Sequence, residues 1–253
     1  MTFLNNNFAL YVDDGTLYRL DAAGTRTAVA TGFGRTAPVR YAEVNEAIYF
    51  TDGFRVGSYH PTNGPTPHWA AAVPTTIGEQ SLTPMPAGQH IAYHGARLLV
   101  AVGSALLYSE PFTPHLRDEA RGFELFPAPI TCLAAVEAGV FVVADKTYFI
   151  AGGLPAQTVR AVLEYGAPEQ QPSYRKDGSA HWMSERGLVS CTRAGEIANL
   201  QEAHVALRVQ GTAATLMREA DGMQTLVAAL GEAGNTGAGV GSYAQARIVK
   251  KGT

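Results

Sequence analysis

His90 and His94 stand four residues apart in GQHIAYHG, the spacing at which two imidazoles on one helix face can share a metal ion. The segment lacks the glutamate of an HExxH site and reads as strand and turn. On a strand, residues i and i+4 lie about 13 Å apart, too far for one ion. His60 and His68 flank a proline-rich loop with no fixed ligand geometry. Cys132 and Cys191 lack metal-ligand spacing and are too few for a disulfide framework. They lie in PITCLAAV and at the end of GLVSC, and are expected to be buried thiols of a protein made in a reducing cytoplasm. Asp13, Asp14, Asp52, Asp145 and Glu185 all fall at turns, and no DxDxDG loop is present. They are read as turn formers, because aspartate bonds its own backbone and tolerates left-handed φ.

Nucleophile and phosphate motifs are equally lacking. There is no GxSxG, and Gly152-Gly153 and the glycines of 231–242 lack the lysine and helix of a phosphate loop. In SYRKDGSAHW (Ser173–Trp182) the Asp-Gly spacing is wrong for the S-x-D-x-G-x-T-W box of sialidase-type propellers, and WD40 signatures are missing. Trp69, Trp182 and the tyrosines follow strand periodicity and are expected to be core or interface anchors rather than a sugar platform. The residues therefore predict no catalytic, cofactor or metal site, and a protein that is not an enzyme.

The elements that would position these residues repeat along the chain. LYVDDGTLYRLD, IYFTDGFRVGSYHP, RLLVAVGSALLYSEP, VFVVADKTYFIAG, AHWMSERGLVSCT and, more weakly, TLVAALGEAGNTG each read as strand, tight turn, strand. Their centres, Tyr11, Tyr49, Leu99, Val142, Trp182 and Val227, are separated by roughly 38, 50, 43, 40 and 45 residues, near the ~40–50-residue period of a propeller blade. Apolar residues on both faces of each hairpin fit sheets packed face to face. Further strands are expected at Val39–Val44, Ile91–Tyr93, Phe123–Phe126, Ile130–Val136, Val159–Leu163, Ile197–Leu200 and Val205–Val209, and only Arg117–Gly122 and Ile197–His204 could be helical.

The expected fold is thus all-β: one propeller-like domain over 1–253, of about five to six blades of short antiparallel strands, with excursions at 60–90, 110–122 and 231–242. Tyr243–Val249 is expected to return to the blade begun at Phe8 and close the ring.

Composition agrees with that class. Charged residues make up 16% of the chain, beside 27 Gly and 14 Pro, which suits many strands and turns and a surface partly hidden in an assembly. A net charge of −3 provides no basic footprint for sequence-specific nucleic-acid binding. No apolar run reaches the roughly 20 residues of a membrane span. The start, MTFLNNNFALYVDDG, lacks the basic and apolar regions of a signal peptide.

From Thr83 to Gly153 the sequence, with TPMPAG, YHGARLLVAVGSALLYSEP and VFVVADKTYFIAG in order, resembles a segment of structural proteins of tailed-bacteriophage virions. IYFTDG (Ile48–Gly53) before the PTNG loop, and the terminal ARIVKKGT, are similar to that setting too. The family includes the nozzle and DNA-stabilisation proteins of short-tailed phages. The resemblance implies a virion component of the tail or head-to-tail junction, assembled in the bacterial cytoplasm as a homo-oligomeric ring of six or twelve. Its partners would be portal, adaptor, tail or fibre proteins, with DNA touched only as channel lining. The mechanism would be mechanical: a stiff body whose 60–90 and 110–122 loops dock neighbours. The candidate interface residues are His60, Pro61, Asn63, His68, Trp69, Pro84, Phe112, His115 and Arg117. The alternatives are a host-surface carbohydrate-binding propeller at a tail tip, or a propeller glycan hydrolase, which would need two carboxylates converging at about 5–10 Å.

Overall fold

A computed structural model of the chain describes residues 2–4, 7–34, 38–66, 76–77, 80–156, 158–202, 211–220, 223–231 and 243–246. Among them there is no helix, and the strands form successive antiparallel sheets, the larger of them meanders in chain order. The chain divides into two compact units, Met1–Phe126 and Pro127–Thr253.

The first unit holds three four-stranded sheets. The first sheet comprises Thr2–Leu4, Phe8–Asp13, Thr16–Asp21 and Arg26–Thr31; the second Arg40–Val44, Ala47–Thr51, Val56–His60 and Gly64–Thr66; the third His90–His94, Arg97–Val102, Ala105–Tyr108 and Phe123–Leu125. The second unit holds two more: a fourth sheet of Cys132–Val136, Gly139–Val143, Thr147–Ala151 and Val159–Leu163, and a fifth of Ser173–Tyr174, Ala180–Ser184, Gly187–Cys191 and Ile197–Asn199. Its sixth sheet has three strands, Thr212–Ala220, Met223–Gly231 and Tyr243–Ala246.

The hairpins form where the sequence places residues that accept positive φ. Asp14 and Gly15 turn at φ 46° and 75°, and Asn45 and Glu46 at 49° and 69°, the two-residue geometry that matches strand twist. Gly95 and Ala96 do the same at 56° and 63°, although alanine gains nothing there. Asp52 makes the expected turn: its Oδ1 accepts from the amides of Phe54 and Arg55 at 3.0 and 2.7 Å.

Alternation along the strands builds the core, since successive side chains point to opposite faces. In the first unit, Phe8, Leu10 and Leu17 of the first sheet meet Tyr41, Ile48 and Phe50 of the second. The other face of the second sheet, with Ala42 and Val44, meets Ile91, Leu98 and Val100 of the third. In the second unit, Phe141, Val143 and Phe149 of the fourth sheet pack on Trp182, Val189 and Cys191 of the fifth, with the Phe141 and Trp182 rings 5.7 Å apart. Met183 and Leu188, on the opposite face of the fifth sheet, pack on Ala213, Leu226 and Ala228 of the sixth. Trp182 is fully buried, and both cysteines are free, buried thiols in the cluster around it.

Several expectations are corrected. Tyr243–Ala246 pairs with Met223–Gly231 and not with the strand begun at Phe8, whose partners are Thr2–Leu4 and Thr16–Asp21. In the sixth sheet Thr212–Ala220, a strand that the sequence reading does not place, pairs with Met223–Gly231, with Ala220 opposite Met223, so the hairpin lies ahead of the expected one. Among the described residues neither helical candidate forms a helix. Leu116–Arg117 is a strand followed by a turn, and Ile197–Asn199 pairs with Val189–Cys191, so sheet pairing overrides the short helical pattern. The expected strand Val205–Val209 lies outside the described residues, as do 67–75 and 78–79 of the 60–90 excursion and 232–242 of the glycine-rich one. Pro65 sits in Gly64–Thr66, the outer strand of its sheet, where a missing amide donor is tolerated.

Candidate interaction site

The described excursion, 110–122, leaves the third sheet through the motif Tyr108-Ser109-Glu110-Pro111. Ser109 is fully buried and explains the motif locally. Its amide donates to the Leu98 carbonyl at 2.9 Å, and its Oγ accepts from the Leu98 amide at 2.9 Å. The hydroxyl in turn donates to the Glu110 carbonyl at 2.9 Å. One serine thus carries the ladder a step beyond Tyr108 and turns the chain outward. Arg97 secures the exit, donating to the Ser109 carbonyl at 2.5 Å with its guanidinium 5.5 Å from the centre of the Tyr108 ring.

Beyond Pro111 the loop closes on itself. The Glu110 amide donates to Leu116 O at 2.8 Å, Leu116 N to Thr113 O at 3.1 Å, and Thr113 Oγ1 to Pro111 O at 3.1 Å. Leu116 is buried and pairs with Pro84, and Arg117 pairs with Thr83, so a two-stranded ribbon pins the far side; Met85 N donates to His115 O at 2.9 Å. The return is held by the Tyr108 hydroxyl, which donates to Arg121 O at 2.6 Å. At Gly122 a Cβ would lie 2.6 Å from Asp118 O and 2.9 Å from Tyr108 O.

This frame presents Phe112 with 82% of its surface exposed and φ at +59°. Its amide donates to Ala96 O at 2.8 Å, which holds the residue in that conformation. A bulky side chain in the left-handed region is uncommon and costs of order 1–3 kcal/mol, persisting where its surroundings over-determine it. An exposed, strained, firmly held aromatic has the character of a contact residue. His115, half-buried beside it in sequence, is held below the ordinary imidazole range by burial, and its Nε2 has no hydrogen-bond partner among the described residues. Arg117 lies 3.7 Å from Glu119.

The structure therefore gathers Pro84, Phe112, His115 and Arg117 on the ribbon and excursion of the third sheet. His60, Pro61 and Asn63 form a separate group at the last turn of the second sheet, where His60 Nδ1 accepts from the amides of Thr62 and Asn63 at 3.1 and 3.3 Å. His68 and Trp69 lie outside the described residues. Sequence reasoning missed Arg97, Tyr108 and Ser109, which build the excursion; the signal was the YSEP motif itself. It also missed Phe54, 86% exposed on the Asp52 turn.

Among the described residues no group of three or more His, Cys, Asp and Glu could hold a metal ion. His90 and His94 end the same five-residue strand. Burial pushes the Cys191 thiol up to about 11. No described helix is long and apolar enough to cross a membrane.

No family model and no curated protein matches the chain. Solved structures do. The extracellular domain of BT4673 from B. thetaiotaomicron, assigned as a hybrid two-component system, aligns at TM-score 0.55 and 8% identity over 89% of this chain and 30% of that one. The computationally designed Ika8 protein aligns at TM-score 0.55 and 8% identity over 91% of this chain and 70% of its own. PorZ, a surface component of the type-IX secretion system of Porphyromonas gingivalis, aligns at TM-score 0.50 and 17% identity over 92% and 30%. The chain thus spans about 30% of the length of the two bacterial proteins. At these identities the likeness is one of fold: an all-β chain of successive small antiparallel sheets.

Proposed function

We propose that this chain is a non-enzymatic assembly module of a tailed-phage virion, at the tail or head-to-tail junction, and that its successive sheets are blades of a propeller-like body. The virion setting follows from the resemblance of Thr83–Gly153. The observation that carries the assembly role is the 110–122 excursion, a loop tied at both ends and across its middle that holds Phe112 exposed. A loop with no function beyond connection would not hold an aromatic in the left-handed region. The working part is a contact surface borne by a stiff frame. Its partners are other virion proteins: neighbouring copies in a ring of six or twelve, or the portal, adaptor, tail or fibre proteins. An acidic balance suits a channel wall that does not retain DNA, because phosphate attraction needs lysine and arginine.

Mass spectrometry of purified particles from the host that encodes the chain is the test. Its presence at a fixed copy number, together with loss of incorporation of Phe112→Ser while the isolated variant keeps its native circular dichroism, is the expected result. Absence from particles, or normal incorporation of Phe112→Ser, would overturn the reading.

A further inference from the structure

The last strand of the third sheet, Phe123–Leu125, is paired on one side: it joins Ala105–Tyr108 and takes no other strand among the described residues. Its bonding pattern follows from the two bonds that bracket it. The Tyr108 amide donates to Gly122 O at 3.0 Å, and the Phe126 amide to Ser104 O at 2.9 Å. Antiparallel partners alternate between exchanging backbone bonds and not exchanging them, so Glu124 turns its amide and carbonyl to Leu106. The N–H and C=O groups of Phe123 and Leu125 therefore point away from the sheet. Both residues also expose their side chains, at 39% and 69%, and alternation puts those side chains on one face.

The last strands of the other four-stranded sheets carry features that blunt an edge. Arg26 and a register shift mark the first, Pro65 the second, and Arg160 and a register shift the fourth, while the fifth exposes only Ala198. Phe123–Leu125 keeps its register and contains no proline, lysine or arginine. It lies in mid-chain, with described residues on both sides.

We propose that this edge receives an extended segment of a partner protein, one with apolar residues at alternate positions and a lysine or arginine between them. Backbone donors and acceptors repeating every second residue along a strand edge are matched by another strand. An apolar side chain opposite Phe123 and another opposite Leu125 would extend the face that Leu107 and Ala105 begin. Glu124, half-buried on the other face, would meet the segment's central residue at the close, non-exchanging position. A cation is favoured there. The same edge of a second copy is disfavoured, because it would set Glu124 against Glu124 at that short spacing. This surface is distinct from Phe112, and the inference does not depend on the virion setting.

Two short synthetic peptides, identical except for Val-Lys-Val or Val-Glu-Val at the centre, test it by fluorescence anisotropy and amide exchange followed by NMR. The native chain is expected to bind the lysine peptide at least about fivefold more tightly, with slowed exchange at the Phe123 and Leu125 amides. Leu125→Pro removes one outward N–H and no bond within the sheet, and should weaken binding at least about tenfold. Glu124→Lys should invert the preference between the peptides, which a folding defect would not do, so it decides the matter if Leu125→Pro folds poorly by circular dichroism. Equal or absent binding of the two peptides, a natively folded Leu125→Pro variant that binds as the native chain does, or a preference that Glu124→Lys leaves unchanged would overturn the inference. So would a dimer of the native chain that Leu125→Pro abolishes, since the edge would then belong to a second copy.

Discussion

Gln170 offers the sharpest test of how these sheets are held. It is fully buried between the fourth and fifth sheets, and its carboxamide does the work of a strand residue. The first strand of the fifth sheet, Ser173–Tyr174, pairs only with His181 and Ala180, so the edge of Ala180–Ser184 is bare at Met183. There Gln170 Oε1 accepts from the Met183 amide at 2.9 Å, and its Nε2 donates to the Met183 carbonyl and to Pro168 O, the latter at 3.0 Å. Its own amide donates to Thr131 O at 3.0 Å, which fixes the side chain against the fourth sheet. Gln170→Met preserves volume and keeps water out while removing these side-chain bonds. A buried donor and a buried acceptor on Met183 are then left unpaired, at roughly 1–3 kcal/mol each. A loss of about 3 kcal/mol follows, or roughly 6–12 °C in melting temperature for a chain of this size. Guanidinium denaturation monitored by Trp fluorescence measures it, since Trp182 neighbours Met183. A Gln170→Met variant within about 0.5 kcal/mol of the native chain would refute the claim that this carboxamide replaces a missing strand.

Ala96→Gly should stabilise the chain by about 0.5–1 kcal/mol, read as a raised melting temperature, because glycine relieves the positive φ of 63°. Gly88→Ala should destabilise it by several kcal/mol. A Cβ there would lie 2.2 Å from Ala101 O, and relief would break the paired bonds of Thr51 Oγ1 to Gly88 O and N at 2.9 and 3.1 Å; a urea midpoint unchanged by the substitution would contradict this. Burial, then Arg175, hold His181 below its ordinary value of 6.5 against the opposing pull of Asp177 and Glu219, and neither ring nitrogen has a hydrogen-bond partner among the described residues. The unfolded chain therefore takes up that proton first, and stability should fall as pH drops below about 6.5. Urea midpoints at pH 7.5 and 5.5 should differ, and His181→Asn should reduce the difference without abolishing it, since burial lowers His115 in the same direction.

Much of the fold was legible because its determinants are local. Five of the six hairpins stand where apolar strand residues flank Asp14-Gly15, Asp52-Gly53, Gly103-Ser104, Asp145-Lys146 or Glu185-Arg186, and Val159–Leu163 is a strand with the expected bounds. The sixth hairpin was misplaced because its nine-residue strands carry a diffuse pattern in TAATLMREA and MQTLVAALG, and the glycine-rich stretch that follows has the stronger turn composition. The interaction site was legible as a place and not as a mechanism. Pro84, Phe112, His115 and Arg117 could be singled out, but nothing in their order says that Pro84 pairs with Leu116, more than thirty residues away.

Turn chemistry and side-chain alternation, both set within a few residues, determined from sequence alone that this chain is all-β, that it repeats, and where most of its turns fall. Tertiary structure decided that the last described strand pairs with Met223–Gly231 rather than with the strand begun at Phe8, that a buried glutamine stands in for an absent strand, and that Phe112 is held outward in a strained conformation. Those outcomes depend on which backbone donors and acceptors remain unpaired once the sheets have packed, a condition that distant segments satisfy together.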